Sequence, residues 1–563
     1  MSTTRRVFFY LVTIITLGIL AAGVGQLLSL VFDLTIKSPF VPQVGRVAFI
    51  QQQLSLGLAM LVIGGPLWFL FWRAVQRNVV GNQAEIGATI RKFFLNLIVT
   101  VSALIALVTA SDFLRWLISG VPLGQLPSSA LGAMLVTGAI WYYHWHISET
   151  EGQPSPAAKT LRRWYIYILS GFGLVWLAVG PVLLVNVAVL NLPLWQGTLV
   201  YGQFWNAPSQ MGASQLVLGG AAWVFHWFRM ARGDFESTLR QVYLYLLTIL
   251  GSSIAGLVAL TTSLYMVFVW AFGGATSANH FQFLGWTIPT TLVTAAIWSY
   301  HQRVAVEEEG QLLEPQLSAQ RVHVYLMSFV GLGALITGLI VLFGTLLNLI
   351  INATTPPAAV APGWWRGQLS LCLALLIVAT PLWLYYWNRA LQRATAGGIT
   401  EWRARARRIF LYGFVAAAII TLAADLVNIV YQLLNGILQG TLGAYLVNSR
   451  WSWQSLVVAV PVLLYHWRIV RQDRSRGAEA VAVRKTVTLL VSERARDLVS
   501  RLEEKLGYRV RVLLRVEPTP ADIPALSDEE VSKLASEIQA APSAHVVVVV
   551  GVGKVEVVPY EEG

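Results

Sequence analysis

A seven-residue aromatic stretch closes an apolar run six times along the chain, and this recurrence constrains the fold more than any other feature. It reads Pro66-Leu67-Trp68-Phe69-Leu70-Phe71-Trp72, Ala139-Ile140-Trp141-Tyr142-Tyr143-His144-Trp145 and Ala221-Ala222-Trp223-Val224-Phe225-His226-Trp227. The later copies are Ala296-Ile297-Trp298-Ser299-Tyr300-His301-Gln302, Pro381-Leu382-Trp383-Leu384-Tyr385-Tyr386-Trp387 and Pro461-Val462-Leu463-Leu464-Tyr465-His466-Trp467. Successive third positions lie 73, 82, 75, 85 and 80 residues apart. A period near 80 that holds two apolar runs predicts a repeated transmembrane hairpin.

Composition agrees. The 563 residues are 56% hydrophobic and 12% charged, against roughly 25% charged in soluble domains. Each hairpin opens on a basic residue and an aromatic cluster, as in Arg91-Lys92-Phe93-Phe94 or Arg240-Gln241-Val242-Tyr243. A first helix of about 25 residues and a second of about 18 to 20 are expected, enough to cross a ~30 Å hydrocarbon core. The apolar run after Arg5-Arg6 extends to about Phe32, too long for a signal peptide, and reads as the first membrane helix.

The expectation is an all-α membrane protein of about twelve spans in six like-oriented hairpins, at 1–80, 81–155, 156–235, 236–310, 311–395 and 396–475. A linker at 476–484 and a soluble α+β domain at 485–563 follow. The segments between hairpins, with the N-terminus and the stretch to Arg476, hold 24 Lys and Arg, whereas the loops inside hairpins hold five. By the positive-inside rule both termini are cytoplasmic, and the bias to Arg, 33 against 7 Lys, suits a GC-rich bacterial genome, so a bacterial plasma membrane is expected. The net charge of +12 is then an orientation signal and a contact with anionic lipid headgroups, not a nucleic-acid patch. In the tail, 487–490 reads as a strand, 492–506 as an amphipathic helix and 508–516 as a strand. Residues 518–524 read as a loop, Ser527 to Glu530 as a capping box, 545–550 as a central strand, and the turn at 551–553 leads into a last strand.

Chemistry is sparse. His144, His226, His301 and His466 share the sixth motif position, which suits an axial haem ligand or a metal site. Phe71 and Tyr386 occupy the same position in the other copies. An aromatic at the membrane interface fits all six, so no cofactor is expected. Trp68, Trp141, Trp223, Trp298 and Trp383 stand four residues before Trp72, Trp145, Trp227, Gln302 and Trp387, on one helix face. Such pairs, with Trp467, read as interfacial anchors, and an aromatic cage for a cation is the sharper alternative. Asp112 and Asp425, with Asp33 nearer a helix end, are the acidic residues inside apolar runs and the candidates for a proton or cation relay. Pro66, Pro381 and Pro461 are expected to kink their helices. No nucleotide, metal or triad motif stands out in the tail, which reads as a packed regulatory or docking domain, open to a protein partner through 485–563.

The basic-aromatic opening and the Pro/Ala-x-Trp-x-x-His/Tyr-Trp close resemble an uncharacterised bacterial family, a domain of unknown function in multi-spanning membrane proteins. The resemblance covers about residues 1–475 and implies a membrane setting and a bacterial source, with no substrate, cofactor or catalytic residue. The expected function is a membrane scaffold or sensor coupled to the tail domain. A transporter or channel for a neutral or apolar solute is the alternative, and an enzyme is not favoured. Oligomeric state is left open.

Overall fold

In the computed structural model, the chain is described except for residues 1–2, 37–40, 43, 154, 194, 196–203, 236, 309–313, 355–361, 403, 483–484, 492–495, 515–525, 542, 544, 552–553 and 561–563. It is helical as far as residue 482 and ends in a small sheet. Nine helical segments among the described residues are long and apolar enough to cross a membrane. Two compact units, Met1–Trp387 and Asn388–Gly563, divide the chain.

The long helices come in sequential pairs. In the first unit, α1 (Thr3–Thr35) packs on α2 (Arg46–Val79), and the one-turn α3 (Gln83–Ile86) leads on to α4 (Thr89–Ser119) and α5 (Ser128–Glu151). Next come α6 (Pro156–Leu190) and α7 (Ala207–Trp223), then α8 (Thr238–Val242) running on into α9 (Gly251–Ala271), which packs on α10 (Leu284–Glu308). After these stand α11 (Glu314–Thr354) and α12 (Trp365–Trp402). In the second unit α13 (Arg405–Leu438) packs on α14 (Tyr445–Ala482). The helices run well past the expected 18 to 25 residues because their polar ends continue beyond the apolar windows. The helix that begins α14 likewise continues to Ala482, so most of the expected linker at 476–484 is helical. Pro66, Pro381 and Pro461 lie inside uninterrupted helices.

Backbone contact holds α6 against α7. A Cβ on Gly180 would stand 2.7 Å from the Gly212 carbonyl oxygen, and one on Gly212 would stand 2.8 Å from that of Gly180. Two turns away, Gly173 and Gly219 face each other in the same way. Small residues let helices approach closely where lipid offers no hydrophobic drive for association. Side-chain hydrogen bonds add to this: Gln26 to Gln53 between α1 and α2, and Ser111 to Ser214 (2.9 Å) between α4 and α7.

The C-terminal sheet has the order β2-β1-β3-β4, from β1 (Thr486–Val491), β2 (Arg511–Leu514), β3 (His545–Gly551) and β4 (Lys554–Tyr560). Both β2 and β3 run parallel to β1, and β4 is antiparallel to β3. Helices α15 (Arg496–Leu506) and α16 (Asp528–Ala540) supply the crossovers that parallel strands need. The topology is therefore α/β-like, not the segregated α+β arrangement expected. Val487, Leu489, Val491, Val546, Val548 and Val550 share a core with Leu502, Val531 and Ile538. The 545–550 run is the central strand expected of it, and Ser527 and Glu530 form the capping box. Expected features at 492–495, 515–525 and 552–553 lie outside the described residues.

Even the smallest side chain collides with backbone at Gly180. Gly180→Ala is expected to lower stability by about 1–3 kcal/mol, whereas Gly18→Ala, where nothing lies within 4 Å, is expected to be neutral or to add up to about 1 kcal/mol. Thermal unfolding of the purified variants in detergent compares the two. Equal melting temperatures would contradict the close crossing.

Candidate functional site

The bases of the helix pairs concentrate the polar chemistry of the membrane region. In five of the helix pairs, a basic residue near the start of the first helix meets an acid that comes after the aromatic stretch of the second. Arg240 and Glu308 are both about 7% exposed, with Nη2 2.7 Å from Oε1 and Nε 3.0–3.1 Å from both carboxylate oxygens. Arg240 Nη1 also donates to the Ala231 carbonyl (2.8 Å). At the base of α4 and α5, fully buried Arg91 and Lys92 share Glu151, and Arg91 donates further to Tyr10 Oη (3.2 Å) and Gln76 Oε1 (3.0 Å). Arg163 pairs with Asp234 (2.6 Å), which also accepts from Tyr167 Oη (2.8 Å). Arg407 pairs with Asp473 (2.6 and 3.1 Å), and Arg6 with Glu85 (2.7 Å).

Removing such charges from water costs several kcal/mol per ion, and only close, multiply bonded geometry offsets it. Bidentate guanidinium–carboxylate pairing with added carbonyl and hydroxyl partners meets that condition. None of these acids was singled out from the sequence. A signal was present, for Glu151, Asp234, Glu308 and Asp473 follow the last motif position by six or seven residues.

Above the clasps, adjacent helix pairs join through aromatic rings. Trp72 stacks on Phe94 (5.7 Å), packs on His144 (5.5 Å) and donates through Nε1 to Tyr143 Oη (2.7 Å), with the Arg91 guanidinium 5.8 Å from its ring. Trp227 stacks on Tyr243 (4.9 Å), packs on His301 (5.7 Å) and donates to Tyr300 Oη (2.8 Å), with Arg240 at 4.5 Å. The two joints use the same positions of the motif. Around the second, the helix widens to π turns over Val224–Met230 and Tyr243–Leu250, and Ala231 N–H reaches the His226 carbonyl at 2.9 Å. These cation–π contacts place the chain's own arginines where an aromatic cage would hold a foreign cation.

The structure seats the four motif histidines in different joints. In each, Nδ1 lies 2.7–2.9 Å from the carbonyl four residues earlier: His144 to Ile140, His226 to Ala222, His301 to Ile297 and His466 to Val462. A carbonyl only accepts, so Nδ1 carries the proton and Nε2 is left with its lone pair. His226 Nε2 accepts from Tyr165 Oη (3.0 Å). The Nε2 atoms of His144 and His301 are buried without a hydrogen-bond partner, and the rings of Trp72 and Trp227 pack on the two imidazoles. No cluster of three metal-ligating side chains occurs among the described residues.

The motif tryptophans divide by burial. Trp72, Trp227 and Trp387 are 4% exposed or less, so they pack within protein. Trp68, Trp141, Trp145, Trp223, Trp298 and Trp383 are half-buried, and Trp467 is half-exposed. Trp141 and Trp145 stack on each other at 5.3 Å. Trp141 and Trp223 reach the tyrosine hydroxyls of the next helix pair, Tyr165 and Tyr243. The acids in the apolar runs are bonded as well. Asp112 pairs with exposed Arg115 (3.2 Å), and Asp425 accepts from Ser455, beside an Asn428–Ser452 bond of 2.8 Å. Asp33 is half-buried two residues from the end of α1.

Breaking one partner of the Arg240–Glu308 clasp strands a buried charge. Glu308→Gln or Arg240→Met is expected to cost about 3–5 kcal/mol, and the Arg240→Met/Glu308→Met double variant less than the sum of the two. Chemical denaturation in detergent measures this, and strict additivity would exclude the pair. At the first base, hydrogen bonding from Arg6 holds the Glu85 carboxyl below the usual carboxylate range. A lowered folded-state value gives stability that is present above about pH 4.3 and lost as the pH falls further. Hydrogen exchange at α3 is expected to quicken below that pH, and Glu85→Gln is expected to remove the pH step.

The uncharacterised family of the comparison is described as Domain of unknown function (DUF5671), and it matches residues 6–139 and again 321–449. No curated protein and no solved structure matches the chain. Over two stretches that together make up just under half of its length, the chain is similar to this uncharacterised family of apolar helices.

Proposed function

We propose that this membrane protein is a twelve-span scaffold that carries its C-terminal domain as a docking or sensing module. The observation that carries the reading is the use of polar groups. The clasps, the Trp–Tyr bonds, Asp112 with Arg115 and Asp425 with Ser455 tie helix to helix or to a near neighbour and line no charged path. Relays through a membrane need ionisable groups that face water or one another in series.

Three helices join the nine to make twelve. The α5 and α10 helices have 24 and 25 residues, and α7 continues through its π turn to Met230. At ~1.5 Å per residue each is about 36 Å long and spans the core. Their apolar windows are diluted by Gly, Ser and Thr and by the motif's Tyr and His. The first matched stretch, longer than one helix pair, together with the two identically built joints, supports four-helix units at about 1–155 and 156–310 within the first compact unit. All hairpins hang from the Arg-rich side, which is cytoplasmic by the positive-inside rule in a bacterial plasma membrane.

Single cysteines in a Cys372→Ser background test this arrangement. Val80→Cys and Arg232→Cys are expected to react with an impermeant maleimide only after the cells are opened, and Val44→Cys and Leu442→Cys in intact cells. A reversed or mixed pattern would overturn like-oriented hairpins. Asp425→Asn is expected to leave folding and membrane content within about twofold and to alter no ion-coupled flux in proteoliposomes. Loss of such a flux would favour transport over scaffolding.

A further inference from the structure

The fourth motif copy ends in Gln302 where the other five end in Trp. A cavity of about 480 Å³ lies between α9 and α10 on one side and α11 and α12 on the other, bounded by Trp298, Met327, Tyr385 and Tyr386. A second cavity of about 260 Å³ shares Leu257 and Leu382 with it and continues to Tyr265 and Leu371. From Ser252 to Tyr265 the two form one groove about 20 Å long, parallel to the helices. Its rim residues Val258, Leu260, Ala295 and Tyr385 are exposed, so it opens sideways from the bundle.

We propose that this groove seats the acyl chains of a membrane phospholipid. The proposal rests on the reading that α9 to α12 span the bilayer, which makes hydrocarbon the medium at the groove's mouth. Its chemistry fits that occupant. No charged residue lines it, and four of its hydroxyls are already used as donors. Ser252, Ser253, Thr291 and Thr294 give their protons to the carbonyls of Thr248, Ile249, Thr287 and Thr290 at 2.5–2.8 Å. A polar solute would find no hydrogen-bond donor among them to replace water. The groove's length of about 20 Å, parallel to the helices, is that of an extended acyl chain lying along the bilayer normal.

Native mass spectrometry of the full chain tests the assignment, after exchange into mild detergent doped with phosphatidylglycerol or phosphatidylcholine. The unsubstituted protein is expected to retain one phospholipid through washing that strips bulk lipid. Leu257→Trp, at the waist shared by both cavities, and Ala295→Leu, at the mouth, are each expected to lower the lipid-bound fraction at least fivefold. Val217→Trp, on the exposed face of α7, is expected to leave it unchanged. Ala295→Leu adds bulk only at an exposed position, so it reports even where Leu257→Trp fails to fold. A chain that arrives bare, a retained free fatty acid or protein in place of phospholipid, or equal loading of Ala295→Leu and the unsubstituted protein would overturn the proposal. Alkaline carbonate extraction of the membranes separates the two levels. Release of the chain defeats the spanning reading itself, whereas retention without bound phospholipid defeats only the groove.

Discussion

A guanidinium buried at the base of a helix pair must find a carboxylate, and much of the architecture follows from that need. Arg91 and Arg407 are almost wholly removed from solvent, and neither can shed its charge. The acid reaches each of them only because the second helix returns beside the first and continues one to two turns past its aromatic stretch. The clasp therefore couples helix length, loop length and pairing. It also explains why helices that need about 20 residues to cross a bilayer run to between 24 and 41.

The aromatic joints form a second layer on this base. Trp72 and Trp227 each meet a ring from the next first helix, a Tyr hydroxyl from the next second helix and a clasp arginine. One side chain thus satisfies an indole N–H, fills an interhelical gap and shields an ion pair from exchange with water. Buried aromatics with satisfied polar tips add stability beyond the area that they cover. Close glycine contacts between α6 and α7 serve the same end by other means, since lipid does not drive apolar helix faces together. A region whose polar atoms are spent on such contacts is suited to holding a shape, and this is the basis of the scaffold reading.

Much of the C-terminal domain was legible locally. The capping box at Ser527 and the Val-rich run from Val546 to Val550 carry their structure in neighbouring residues. The sheet's parallel pairing was also implicit, because strands that alternate with helices require crossovers. The helical continuation to Ala482 was not, because Arg and Gly there look like a linker until a long preceding helix extends through them.

Read in order, the sequence called for long apolar helices with aromatic, arginine-bearing ends, because hydropathy, length and the sixfold stretch are properties of the chain itself. It also marked the histidines, tryptophans and rare acids as the side chains to account for. What each of them meets is a matter of helix packing, settled in the folded structure. It gave the imidazole Nδ1 protons to backbone carbonyls, put Trp72 and Trp227 inside protein and delivered the acids to the arginines. The last two outcomes depend on distances between residues some 60 to 80 positions apart, which no local pattern encodes.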